Sequence, residues 1–106
     1  MTYPYNVAGD LHLEAVQSRE EAVRQLEKLA AEVRRAVEAG VIEGDAGDAA
    51  REHLERAAEE AAQETPDKEG ILAHVDRART VVEGVSAAGG LLDALVRAVE
   101  MVRNLF

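Results

Sequence analysis

The apolar positions between Ile71 and Phe106 recur at spacings of three and four: Leu72, Val75, Ala78, Val81, Val82, Val85, Ala88, Leu92, Leu95, Val96, Val99, Val102 and Leu105. The charged residues Asp76, Arg79 and Glu83, then Asp93, Arg97 and Glu100, collapse onto one narrow line. A helix with so thin a polar stripe must bury its other faces, against the earlier helices or against copies of itself. The pattern predicts a long C-terminal helix, continuous or gently kinked, with a break at Gly84–Gly90 as the alternative. Gly84, Gly89 and Gly90 each cost about 1 kcal/mol relative to alanine in a helix interior, yet the apolar stripe continues in phase across them.

Two more helices precede it. Ser18 followed by Glu21 is a capping box, and Val23, Leu26, Leu29 or Ala30, Val33 and Val37 repeat at helical spacing up to Gly40, which predicts a left-handed stop. Asp45 and Asp48 are candidate caps for a second helix running to about Glu64. Its inward residues are nearly all alanine (Ala50, Ala57, Ala58, Ala61, Ala62), with Leu54 the one large anchor. Thr65-Pro66-Asp67 then reads as the restart of the chain into the third helix.

Residues 1–16 carry a different period. Tyr3, Tyr5, Val7, Leu11 and Leu13 alternate with Asn6, Asp10, His12 and Glu14, which predicts a strand, or a hairpin turning at Gly9-Asp10. So small a β element is marginal alone and would pair with the same segment of another chain. The expected fold is therefore all-α: a three-helix bundle over 17–106 with a β-type arm at 1–16.

A chain of 106 residues is one domain. With 47% hydrophobic residues but only Tyr3, Tyr5 and Phe106 aromatic, its core must be Ala, Val and Leu. No cysteine is present, so disulfides and thiolate metal sites are excluded. The net charge of −9 falls entirely within residues 1–70, which repels nucleic acid and anionic lipid and suits a basic or zwitterionic protein. Neither a signal peptide nor an uninterrupted apolar span is visible, so a cytoplasmic location is expected.

Catalytic and cofactor chemistry finds no footing in the pattern, and no enzyme activity is expected. Ser18 is better used as a cap than as a nucleophile, and no elbow motif surrounds any serine or threonine. His53 and His74 have no second ligand three or four residues away on their own helices. Asp10, His12 and Glu14 would share one strand face; two carboxylates and an imidazole can hold a divalent cation, particularly if several chains contribute, but an ordinary solvated polar face is the favoured reading.

Asn6-Val7-Ala8-Gly9-Asp10-Leu11-His12-Leu13, together with Thr65-Pro66-Asp67, Val82-Glu83-Gly84-Val85-Ser86-Ala87-Ala88-Gly89-Gly90-Leu91 and the ending Val102-Arg103-Asn104-Leu105-Phe106, resembles uncharacterised actinobacterial proteins: small, helical, DUF-type, with a short Gly-Asp β lead. These are similar to modules of predicted conflict and defence systems. The resemblance implies assembly or signalling and brings no catalytic residues.

The sequence thus points to a self-associating scaffold or adaptor, a homo-oligomer with no cofactor. Tyr3, Tyr5, Val7, Leu11 and Leu13 are the expected arm contacts, and Leu92, Val96, Val99 and Phe106 the expected helical interface. The alternatives are an antitoxin-like acidic binder of a basic protein and a secreted helical-hairpin protein. The second would carry a Trp-x-Gly turn, and this chain has no tryptophan.

Overall fold

The computed structural model describes residues 2–106, with side chains described from Arg19 onward apart from Ser86. Four α-helices follow one another: α1 (Thr2–Glu38), α2 (Gly44–Ala61), α3 (Lys68–Glu83) and α4 (Gly89–Leu105), with a 3₁₀ turn at Ser86–Ala88. Each helix packs on its neighbours in sequence, and α4 closes the ring against α1. Short antiparallel connections of this kind define an up-down bundle. The core is apolar throughout, with Leu26, Ile42, Leu54, Ile71 and Leu95 its largest fully buried side chains. No buried polar or charged residue interrupts it among the described residues.

The C-terminal stripe is folded on itself rather than carried by one helix. α3 ends at Glu83, Val85 is extended (φ −115°, ψ 101°), and Val85 N–H donates to the Val82 carbonyl at 2.9 Å. The reversal brings Ile71, Val75, Ala78 and Val82 of α3 into the same core as Leu95, Ala98 and Val102 of α4. The stripe that demanded a partner supplies half of it from its own length. Lys68 at the start of α3 donates to the Arg103 carbonyl near the end of α4 at 2.8 Å, fastening the hairpin at its open end.

The glycines at this reversal are not needed for special backbone angles, since Gly40 is the one glycine with positive φ among the described residues. A Cβ at Gly90 would meet nothing within 4 Å. Gly90→Ala should therefore raise stability by about 0.5 kcal/mol through lower chain entropy and better helix propensity. Chemical denaturation checks this; a loss of stability would mean that the start of α4 is tighter than described.

The strand expected at 1–16 is replaced by helix, because α1 begins at Thr2. Tyr3, Val7 and Leu11, three of the five apolar residues in the alternating set, are also four apart, so the same residues satisfy a helical period. Pro4 falls in the first turn, where its missing N–H breaks no bond. Leu11, Leu13, Glu14, Ala15 and Gln17 are good helix formers, so Ser18 lies inside the helix instead of capping it.

The other boundaries shift by a few residues. Glu43 is the N-cap of α2, ahead of Asp45 and Asp48, and α2 ends at Ala61, leaving Ala62 exposed. Asp67 stands at the N-cap position of α3 in place of Thr65: its backbone is extended (φ −90°, ψ 101°) and its carbonyl accepts the first helical bond, from Ile71 N–H at 3.0 Å. The expected stop at Gly40 is present with φ +78°. Val41 N–H donates to the Ala36 carbonyl at 2.8 Å and Gly40 N–H to that of Val37 at 3.0 Å, the two bonds of a Schellman cap.

At about 1.5 Å per residue, α1 is about 55 Å long while the other helices span about 24–27 Å. The molecule is 56 Å along its long axis and 25 Å by 18 Å across. The shorter helices pack along only part of α1, and among the described side chains the core begins at Ala22.

Candidate interaction surface

Where α1 and α4 meet, the packing is thinnest. α4 presents Ala94 and Ala98 to this seam, side chains too short to fill the space beside Leu29. A groove of about 370 Å³ remains, lined by Glu21, Gln25 and Leu29 from α1 and by Arg97 and Met101 with the two alanines from α4. A smaller hollow of about 200 Å³ continues it past Lys28, Glu32, Gly90 and Leu91. Leu91, Ala94 and Met101 are half-buried, so the floor is apolar and the rim is charged.

The expected helical interface is mostly absorbed by the fold. Leu92, Val99 and Phe106 are half-buried and pack on the core. The Arg19 guanidinium lies over the Phe106 ring, 5.6 Å from its centre, tying the C-terminus to α1 by a cation–π contact. Val96 stays 45% exposed and is, with Val41, one of two exposed large apolar residues among those described. The arm residues Tyr3, Tyr5, Val7, Leu11 and Leu13, and the Asp10, His12 and Glu14 set, lie outside the residues whose side chains are described.

The outer surface is laced with ion pairs one helical turn apart. Arg79 is the most engaged, contacting Asp76 at 2.8 Å and Glu83 at 2.7 Å, and these two carboxylates raise its pKa above the ordinary value, the Asp76 hydrogen bond first. Along α2, Arg51 pairs with Glu55 at 3.1 Å and Arg56 with Glu52 at 3.2 Å. Exposed pairs of this kind contribute little each. Their role is to keep the polar faces of short helices helical.

Among the described residues, one contact between polar side chains crosses from helix to helix and is not legible in either helix alone. His53 of α2 and His74 of α3, both half-buried, place their Nδ1 atoms 3.1 Å apart. No group of three or more metal-binding side chains gathers here or elsewhere among the described residues. No described helix is long and apolar enough to cross a membrane. The chain matches no protein-family model, no curated protein and no solved structure.

Proposed function

We propose that the protein is a non-catalytic, self-associating helical module, a cytoplasmic adaptor of the kind used in bacterial defence or signalling assemblies. The observation that carries this reading is the length of α1. It is 37 residues long, while the helices that flank it have 16 to 18, so the bundle covers only part of it. An amphipathic helix gains most of its stability from packing, and one that outruns its neighbours is stabilised by a further partner. The four-residue spacing of Tyr3, Val7 and Leu11 gives the arm an apolar set suited to a second copy.

Light scattering on the full chain and on a chain beginning at Gln17 tests the proposal. The full chain should have a mass that is a multiple of 11.4 kDa, and the shortened chain should be a monomer. Leu11→Glu in the full chain should lower the mass in the same way. A monomer in every case would overturn self-association. Val96→Asp probes the second expected surface. An exposed site should tolerate it within about 0.5 kcal/mol, so a fall in mass without a fall in thermal midpoint would place Val96 in the contact between copies.

A further inference from the structure

His53 and His74 are separated by 21 residues and meet across the α2–α3 seam. Their ring centres are 5.3 Å apart and the ring planes are tilted by 33°. That separation nearly equals the 3.1 Å between the Nδ1 atoms plus the two ring radii, so both nitrogens lie close to the line joining the centres. They face one another. A shared cation would require both lone pairs to converge on a third point, about 2.0–2.1 Å from each nitrogen. Facing nitrogens instead fit a hydrogen bond, in which one Nδ1–H donates and the other Nδ1 accepts.

Such a bond survives one added proton and not two. When one ring becomes imidazolium, its Nδ1–H still donates to the neutral partner, now as a stronger charge-assisted bond. When both are imidazolium, two N–H donors oppose each other across 3.1 Å and both rings carry positive charge. The surroundings sharpen this limit. Arg56 on α2 and Arg77 on α3 add positive potential, which Glu60 on α2 opposes, while Arg56 is itself paired with Glu52. Desolvation first, then His53 and the two arginines, lower the His74 pKa below the ordinary histidine value.

We propose that His53 and His74 form an acid-sensitive latch between α2 and α3, closed while the pair holds at most one extra proton and forced apart by the second. On the α2 side of the seam it bridges, Leu54 is the only large buried side chain among small ones. The direction of the effect follows from proton counting. An open or unfolded chain binds the second proton below the ordinary histidine value of about 6.5, before the closed chain does. For this second proton, the stabilisation is complete above that pH and falls as pH drops through the window between the open-state and closed-state values. Ordinary carboxylates titrate near pH 4, below the start of this window.

The test is the thermal midpoint of the untagged full chain by circular dichroism, at pH 7.5 and pH 5.0, at constant ionic strength with EDTA. The wild-type midpoint should fall by several degrees more than that of the double variant His53→Gln, His74→Gln, whose amides can bridge the seam without titrating. His12 is common to both chains, so its titration cancels. An equal fall in both would overturn the latch. An NMR titration of the wild-type imidazoles provides a readout that needs no variant to fold: two coupled steps are expected, the second displaced to low pH. Two independent titrations at ordinary values would overturn it. So would a rise in midpoint on adding zinc chloride without EDTA that the double variant lacks, since the nitrogens would then converge on a cation.

Discussion

Replacing Leu54 by alanine is expected to cost about 3 kcal/mol and to lower the thermal midpoint by roughly 12 °C, a large share of the stability of a domain this size. α2 buries Gly47, Ala50, Leu54, Ala57, Ala58 and Ala61, and it packs on both α1 and α3. Leu54 is fully buried and is the only one of these side chains long enough to reach into both seams. Truncation would remove its transfer free energy and leave a cavity. The alanines beside it have no further atoms to move into that space, so relaxation is limited and the cavity contribution persists. Denaturant unfolding monitored by circular dichroism measures the loss. A cost below about 1 kcal/mol, the range of an unremarkable surface change, would mean that the core face of α2 is not docked as described.

The same alanine face explains how far the fold could be read in advance. The helices starting near Ser18 and near Asp45–Asp48 are legible in their periodic apolar residues, and the inward set of α2 differs from expectation at Ala62, which is exposed, and at Gly47, which is buried. The glycine stop at Gly40 was equally legible, because a left-handed residue after a periodic run has few alternatives. The reversal at Gly84–Gly90 was weaker evidence in sequence. A stripe that stays in phase looks the same whether the helix continues or folds back, since both arrangements bury the same residues. Only the cost of three glycines argued for a turn. At the N-terminus the alternation of Tyr3, Val7 and Leu11 with polar neighbours serves a period of two and a spacing of four alike. Period alone does not choose between them there.

The interaction surface was legible only in part, for a related reason. Periodicity marks Leu92, Val99 and Phe106 as apolar and in need of cover, but it does not say whether the cover comes from α3, from α1 or from another chain. In the bundle they are half-buried against the core, and Val96 alone of that set stays exposed. Ligand spacing along each helix does not reveal the histidine pair, because the contact lies between helices. Its register was nonetheless accessible. Once a turn is placed near Gln63, antiparallel folding matches positions equally far on either side, and His53 and His74 each lie about ten residues from it.

Gly47→Ala is expected to destabilise the bundle by about 1–2 kcal/mol, against the direction that helix propensity alone gives. Gly47 is in the first turns of α2 and is buried. Propensity favours alanine there by up to about 1 kcal/mol. The added Cβ, however, would overlap the Cγ2 atom of Val37 on α1 and touch the Ile42 side chain at 3.4 Å. Val37 is β-branched and held in one preferred rotamer within a helix, so it has no free side-chain rotation with which to withdraw. The backbone must move instead, at the last turn of α1, where the bonds closing on Ala36 and Val37 fix the chain's exit into the α1–α2 connection. Overpacking of this kind costs about 1–3 kcal/mol and outweighs the propensity gain. Gly44→Ala is the matched control, because a Cβ there meets nothing within 4 Å and stability should hold or rise slightly. If denaturation shows Gly47→Ala to be as stable as Gly44→Ala, α1 and α2 do not approach as closely as described. The glycine would then be serving the turn rather than the packing.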